Sequence, residues 1–295
     1  MVARGVRDMR RIATSFSHDG CVFDVQEFGP PDGEPVVLLH GFPQNSASWS
    51  AVGPELARAG FRVLAPDQRG YSAGARPHRA RDYRLDLLAS DVVALLDSAA
   101  IDRAHLVGHD VGGTVAWGAA MWHPERLTSL TVLSAPHPEA FYRSLRRDVL
   151  QVLRSWYMLL FLAPALPEWL LAPRTPLRHK LFTSMLIDSG MPTDSAQYCA
   201  SLFARPEALG AAINWYRALR KLPRAQSARS VAVPTLYIRG GRDRYVGRAA
   251  AALTADFVSG PYRPEVLADA GHWLPEASAR EVTDLLVEHL ASNSI

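Results

Sequence analysis

The stretch GHDVGG, residues 108–113, lies where the apolar run AHLVG at 104–108 gives way to a helical pattern at 111–122. Small residues two places before and after Asp110 allow a sharp turn from strand to helix, so the central side chain projects from the sheet. The unpaired N–H groups of the helix N-terminus also stabilise a carboxylate there. The pattern predicts a nucleophile on a strand-to-helix turn, and an Asp that only caps the helix is the structural alternative.

Short apolar runs alternate with longer helical patterns on both sides of this turn. Further runs of strand type lie at residues 21–28, 36–40, 61–66, 127–134, 234–239 and 263–267, and further helical patterns lie at 49–59 and 85–99. Continuous apolar strands are typical of parallel sheets that are buried on both faces. Their alternation with helices predicts the α/β class, with a mostly parallel, doubly wound sheet.

The middle of the chain breaks this alternation. It contains no run of strand type, is rich in Leu, Trp, Arg and Pro, and has helix-like stretches at residues 140–153 and 206–220. Prolines mark its two ends. We therefore expect a helical cap domain at residues 136–225, inserted into a core domain that comprises residues 1–135 and 226–295.

Composition and charge exclude several classes of protein. The 295 residues are 48% hydrophobic and 21% charged, which excludes a disordered or fibrous chain. The net charge is only +3, and the Arg clusters at 76–81 and 143–147 are interpreted as solvated faces, so we expect no nucleic-acid partner. The most apolar stretch, 156–171, is interrupted by prolines and a glutamate, and residues 1–17 hold no apolar run. We expect a cytoplasmic protein without integral membrane association.

Two further polar residues follow strand-like runs. Asp243 comes just after the run at 234–239, and His272, within GHWLP, comes after the run at 263–267. Open α/β sheets place their sites at the carboxyl ends of strands, so Asp110, Asp243 and His272 are expected to meet. The order nucleophile, acid, histidine predicts a triad in which Asp243 orients His272.

The motif HGFP at residues 40–43 closes the run at 36–40. A turn of this type can direct the backbone N–H of Phe42 into the site, where it would form a two-donor oxyanion hole with the N–H of Val111. Taken alone, the motif is explained equally well as a plain turn.

These segments resemble the α/β-hydrolase superfamily, and specifically its epoxide hydrolase branch. The resemblance extends over nearly the whole chain and rests on HGFP, DQRGYS at residues 67–72, GHDVGG and GHW. Two cap segments, SWY at 155–157 and NWYR at 214–217, are similar to those that carry the family's two ring-opening tyrosines. The resemblance therefore implies that Tyr157 and Tyr216 assist ring opening, whereas a Tyr beside a Trp on a helix is otherwise usually a packing residue.

The chemistry of these groups suggests a reaction. A Ser that attacked an sp3 carbon would leave an ether, whereas a carboxylate leaves an ester that water can cleave. We expect Asp110 to attack an epoxide whose oxygen is protonated by Tyr157 and Tyr216, and His272 with Asp243 to activate the water that hydrolyses the ester. The product would be a vicinal diol, and the reaction requires no metal and no organic cofactor.

The expected partners are a small apolar epoxide and water. The apolar cap stretch predicts a substrate pocket lined by Phe42, Trp156, Phe161 and Trp273, and packing of the cap against the core is the alternative. The oligomeric state stays open, with a homodimer among the alternatives. Other residues are interpreted as structural: Asp67 and Arg69 would form an ion pair that braces their loop, and His109 and His137 would pack or form hydrogen bonds.

Other functions are weighed against epoxide hydrolysis. A haloalkane or haloacid dehalogenase uses the same Asp and His chemistry, but haloalkane dehalogenases typically offer side-chain N–H donors to halide where this chain has Phe42 and Val111. Fluoroacetate dehalogenases typically place Arg in the turn. An ester hydrolase is disfavoured because no Ser occupies position 110. A non-catalytic binding protein with a hydrolase fold is the alternative from another class.

Overall fold

Eight strands form one sheet in the part of the chain that the computed structural model describes, residues 12–219 and 229–294. In chain order they are β1 (Ile12–His18), β2 (Cys21–Phe28), β3 (Pro35–Leu39), β4 (Arg62–Pro66), β5 (Ala104–His109), β6 (Leu127–Leu133), β7 (Thr235–Gly240) and β8 (Tyr262–Leu267). Their order across the sheet is β1-β2-β4-β3-β5-β6-β7-β8. Strand β2 pairs antiparallel with β1 and β4, and all other pairs are parallel, which confirms the predicted α/β class.

Helices cover both faces of the sheet. The helices outside the β6–β7 connection are α1 (Val52–Arg58), α2 (Leu85–Ser98), α3 (Val111–Trp122), α11 (Arg248–Leu253), α12 (Leu274–Ala277) and α13 (Ala279–Ala291). Two clusters of buried apolar side chains result, one that includes Trp117 of α3 and one that includes Leu56 of α1 and Leu286 of α13. The central strands β5, β6 and β7 are buried along their whole length, which explains their continuous apolar sequences.

In the described part of the connection between β6 and β7, residues 134–219 and 229–234, there are seven α-helices. They are α4 (Pro138–Arg147), α5 (Val149–Arg154), α6 (Trp156–Leu162), α7 (Leu166–Leu171), α8 (Pro176–Asp188), α9 (Thr193–Leu202) and α10 (Pro206–Leu219). The helix predicted at 140–153 is interrupted at Asp148, whose Oδ1 accepts a hydrogen bond from the N–H of Leu150 (2.9 Å) and begins a new helix. The predicted boundary between residues 225 and 226 lies outside the described residues.

Two features differ from the sequence analysis. Strand β1 was not predicted, because its sequence IATSFSH is polar and it pairs only with β2 at the edge of the sheet. The predicted ion pair between Asp67 and Arg69 is wrong. The buried Arg69 side chain instead donates from Nε and Nη2 to both carboxylate oxygens of Asp91 (2.9 and 2.8 Å), and Asp67 accepts from the N–H of Ser46 (2.8 Å).

Membrane spans and metal-binding clusters are both absent from the described residues. Within residues 12–219 and 229–294, no helix has the length and apolar character needed to cross a membrane. The same residues contain no group of three or more His, Cys, Asp or Glu side chains that could hold a metal ion.

Candidate active site

The turn between β5 and α3 forces Asp110 into an unusual backbone conformation. Its φ is 52° and its ψ is −122°, which non-glycine residues rarely adopt and which aims the side chain away from both elements. The neighbouring glycines allow the close approach that this turn requires. A Cβ at Gly108 would collide with the carbonyl of Gly112, and one at Gly112 would collide with the carbonyl of His40.

The structure brings Asp110, Asp243 and His272 together at the carboxyl ends of β5, β7 and β8. His272 Nδ1 lies 3.0 Å from Asp243 Oδ2, and His272 Nε2 lies 3.5 Å from Asp110 Oδ2. The other Asp243 oxygen accepts hydrogen bonds from the N–H groups of Tyr245 (2.8 Å) and Val246 (3.0 Å). The imidazole is therefore held between two carboxylates, and one of these is itself held by backbone donors.

The charges of these groups stabilise one another. Burial disfavours the imidazolium, but the carboxylates of Asp243 and Asp110 outweigh it and raise the pKa of His272 to about 10. Burial likewise opposes ionisation of Asp243, yet His272 and two backbone N–H groups lower its pKa to about 2. The pKa of Asp110 is lowered in the same way, because the contacts with His272 and the N–H of Phe42 outweigh its burial. At neutral pH the free site holds two carboxylates and one imidazolium.

The predicted oxyanion donors belong to residues that adjoin Asp110. The N–H of Phe42 donates to Asp110 Oδ1 at 2.9 Å, and Val111 is the first residue of α3. A donor that already contacts a carboxylate oxygen lies close to the place where charge would develop if that group became an ester under attack.

Both predicted cap tyrosines face Asp110 across a cavity. Tyr157 of α6 and Tyr216 of α10 have ring centroids 6.0 Å apart, and both line the two cavities that also contain Asp110. Burial, followed by the negative charge of Asp110, raises the pKa of each hydroxyl well above its usual value of 10. Both tyrosines therefore retain their protons and can donate them to a substrate oxygen bound between them and Asp110.

Side chains of α10 hold the two tyrosines in place. Arg217 donates to both carboxylate oxygens of Glu168 (2.7 and 3.1 Å) and to the carbonyls of Phe161 and Ala163, so α10 is joined to α6 and α7. The indole N–H of Trp215 donates to the carbonyl of Arg69 (2.7 Å), which joins α10 to the core. Tyr216 lies between these two anchors in the sequence.

Two apolar cavities meet at Asp110. Their volumes are about 350 and 310 Å³, and the residues that line both are Asp110, Tyr157, Tyr216 and Tyr245. The larger cavity continues toward the cap residues Phe141, Tyr142, Met158 and Leu159. The smaller one is lined by all four predicted pocket residues, Phe42, Trp156, Phe161 and Trp273, of which Trp156 is 64% exposed.

The sequence analysis missed Tyr245. Its ring contacts the imidazole of His272 edge to face, with centroids 4.7 Å apart, and contacts Tyr157 in the same way at 5.6 Å. Its position two residues after Asp243, on a loop at the carboxyl end of a strand, was the signal that could have identified it.

The buried His109 forms hydrogen bonds next to the site, as its structural interpretation from the sequence predicted. His109 lies 2.9 Å from Gln44 Oε1 through Nδ1 and 2.9 Å from the carbonyl of His272 through Nε2. Burial and the nearby His272 charge lower the pKa of His109 to about 4, so the ring is neutral at neutral pH. It contacts both the backbone carbonyl and the ring of His272, with the two ring centroids 5.0 Å apart.

Comparisons with known proteins agree with this geometry. A family model for the alpha/beta hydrolase fold matches residues 34–278. Epoxide hydrolase A of Mycobacterium tuberculosis is 31% identical over 92% of this chain and 95% of its own length. Human epoxide hydrolase 4 is 34% identical over 86% of this chain and 72% of its own. The crystal structure of epoxide hydrolase A from Mycobacterium thermoresistibile superposes with a TM-score of 0.83 at 26% identity, covering 97% of this chain and 100% of that one.

These matches identify the family. The chain belongs to the α/β-hydrolase superfamily, as the family model and the fold show. Within that superfamily it belongs to the epoxide hydrolase branch.

Proposed function

We propose that this protein hydrolyses apolar epoxides to vicinal diols through an ester on Asp110. The observation that carries the proposal is the position of Asp110, between a histidine–aspartate pair on one side and two protonated tyrosines on the other. Relatives that are 31% and 34% identical and named epoxide hydrolases support the same activity.

In the first step Asp110 attacks an epoxide carbon. A C–O bond forms between its carboxylate and that carbon, and the bond from the carbon to the ring oxygen breaks. Tyr157 and Tyr216 hydrogen-bond the departing oxygen, and one of them donates a proton to it. Because the pKa of both hydroxyls is raised, the resulting tyrosinate is a strong base that is quickly protonated again.

The proton balance explains the change in the role of His272. The imidazolium of the free site is stabilised in part by the negative charge of Asp110, and formation of the ester removes that charge. The pKa of His272 therefore falls in the ester, and the imidazolium releases its proton to restore the tyrosine. His272 enters the second step neutral and able to accept a proton.

In the second step His272 removes a proton from water. The hydroxide oxygen attacks the ester carbonyl of Asp110, and the N–H of Phe42 together with that of Val111 stabilises the oxyanion, a contribution of about 3–4 kcal/mol per donor. When the intermediate collapses, the bond between the carbonyl carbon and the ester oxygen breaks, and the leaving alkoxide takes up the second proton of the water to become the diol. The imidazolium and both carboxylates are then restored.

The two cavities support a substrate with two apolar substituents. Each is lined almost entirely by aromatic and aliphatic side chains, and the nucleophile lies where they meet. A three-membered ring at that position would extend one substituent into each cavity. The site therefore favours epoxides with an apolar group on both carbons over small terminal epoxides.

Dehalogenation, the second candidate, receives less support. Halide release requires polarised N–H donors from side chains close to the nucleophile, and Phe42 and Val111 supply only backbone donors. The indole N–H of Trp273 in the smaller cavity already donates to Ser189 Oγ (2.9 Å). A halide-release assay with a chloroalkane, run beside the diol assay, distinguishes the two activities.

The decisive experiment follows the oxygen atoms. A panel of styrene oxide and cis- and trans-stilbene oxide identifies the fastest substrate, and a single turnover is then run in water enriched in oxygen-18. We expect the label in the Asp110 side chain, located by peptide mass analysis, and unlabelled diol. Label that goes directly into the diol and leaves Asp110 unlabelled rejects the ester mechanism.

A further inference from the structure

Helix α5 of the cap has the reverse of the usual amphipathic pattern. Its Gln151 is completely buried, whereas the apolar side chains around it, Val149, Leu150, Val152 and Leu153, are exposed. Helices normally bury their apolar side chains because that burial stabilises them. Specific polar contacts, and not apolar burial, therefore hold α5 in this orientation.

Those contacts connect the cap to the loop that follows β7. Gln151 Nε2 donates to the carbonyl of Tyr245 (2.8 Å), and Gln151 Oε1 accepts from the N–H of Gly247 (2.8 Å). The carboxamide group offers a donor and an acceptor side by side at one end of the side chain, which matches this pair of backbone groups. A Cβ at position 247 would lie 2.9 Å from Gln151 Oε1 and 2.9 Å from Arg154 Nη1, so a larger residue there would push the Gln151 amide aside.

The same loop orients the acid of the triad. Asp243 Oδ1 accepts from the N–H groups of Tyr245 and Val246, and Asp243 Oδ2 pairs with His272. Gln151 thus fixes the backbone on both sides of Val246, one of the two residues that hold the Asp243 carboxylate. It also fixes Tyr245, whose ring contacts His272.

We propose that Gln151 is a positioning residue through which the cap keeps Asp243 aligned with His272 for ester hydrolysis. This inference rests on the proposed function, because it assigns Gln151 to the second step of that reaction. Gln151 lies six residues before Tyr157, so one short segment of the cap carries the ring-opening acid and supports the hydrolytic base.

The expected defect is specific to one step. Without the amide, the Tyr245–Gly247 backbone can move away from the cap, and Asp243 supports a protonated His272 less well. The titratable groups around His272 are Asp243, Asp110, His109, Tyr245 and Glu276. Of these, only Asp243 and Tyr245 lie on the loop that Gln151 holds, so the change in basicity is transmitted through them.

The experiment measures the two half-reactions separately. Gln151→Met retains the side-chain length without hydrogen bonds, Gly247→Ala displaces the amide from the opposite side, and Leu150→Ala on the exposed face of α5 is the control. Rapid mixing with the fastest epoxide of the panel reports formation and hydrolysis of the ester. We expect hydrolysis to slow on the order of 10- to 100-fold and ester formation to stay within about twofold. The pH of half-maximal hydrolysis should fall by about one unit, since His272 becomes less basic.

Several outcomes overturn the inference. If folded Gln151→Met slows both steps equally, or slows neither, or leaves the pH profile of hydrolysis in place, Gln151 is only a structural residue. If Gln151→Met does not fold, the variant Gly247→Ala, which retains Gln151, is tested instead. Equal slowing of both steps, no slowing of either, or an unchanged pH profile of hydrolysis in this variant would likewise overturn the inference. Failure of the proposed function is distinct, because then the wild-type protein forms no ester on Asp110 with any epoxide.

Discussion

His272 Nε2 lies 3.5 Å from Asp110 Oδ2, so the proposed base and the proposed nucleophile are direct neighbours in the free site. This contact places a positive charge beside the carboxylate before substrate binds. In the proposed ester, Asp110 carries no charge, so the positive charge loses that partner. The same histidine is thus a stabilising cation in one half of the proposed cycle and a neutral base in the other.

His272→Gln should separate the two halves of the reaction. Glutamine cannot accept a proton from water, so the ester on Asp110 should accumulate. Intact-protein mass spectrometry should show an increase equal to the mass of one substrate molecule. The double variant His272→Gln with Asp110→Asn is the control and should gain no mass; an adduct that persists in it would place the covalent bond elsewhere.

The cap tyrosines should act in ring opening. Tyr157→Phe and Tyr216→Phe should each slow ester formation, and the double variant should lose about 10²- to 10⁴-fold, the usual contribution of a general acid. Stopped-flow measurement of the alkylation step tests this, with Tyr262→Phe on β8 as a matched control outside the cavities. Undiminished alkylation in the double variant would remove both residues from the mechanism.

The ion pair between Arg217 and Glu168 should support the position of Tyr216. Glu168→Gln leaves the Arg217 side chain partly buried without its bidentate partner, so the free energy of unfolding should fall by about 1–3 kcal/mol. Ester formation should slow more than hydrolysis, because α10 carries Tyr216 and the triad is elsewhere. Chemical denaturation and single-turnover kinetics measure these effects; the exposed pair Arg84–Asp86, changed to Asp86→Asn, serves as the comparison.

The triad should make stability depend on pH in a defined window. The folded pKa of His272 is raised to about 10, so its contribution is complete below its unfolded pKa and is lost as the pH rises toward 10. The folded pKa of Asp243 is lowered to about 2, so its contribution is complete above its unfolded pKa and is lost as the pH falls toward 2.

The variant His272→Gln lacks the histidine contribution. The difference in free energy of unfolding between wild type and this variant should therefore be largest near pH 5 to 6 and should shrink steadily toward pH 9.5. Urea denaturation at several pH values measures the difference. A difference that stays constant over this range would mean that His272 is not held as an imidazolium in the folded protein.

The sequence by itself determined the class of fold and the candidates for chemistry. The alternation of apolar runs with helical patterns predicted the α/β sheet, because a strand buried on both faces must be apolar along its length. The glycines around Asp110 predicted the turn, because only small residues allow such an approach of strand and helix. These features are local, so they are visible in a short stretch of chain.

Only the tertiary structure decided the geometry of the site and several of its contacts. The order of the motifs predicted that Asp243 and His272 meet, but the fold sets the 3.0 Å distance between residues that are 29 positions apart. The partner of Arg69 is Asp91 on α2 and not the nearby Asp67, which the sequence did not reveal. Strand β1 joins the sheet through pairing with β2, which its polar sequence does not reveal. The resemblance implied a role for Tyr157 and Tyr216, but their position opposite Asp110 depends on how the helices between β6 and β7 pack over the sheet. The contact of Gln151 with the loop after β7 depends on the same packing. Such contacts form between segments that are distant in the sequence, and they depend on the three-dimensional arrangement of those segments. Composition and periodicity describe only local stretches of chain, so they do not predict these contacts.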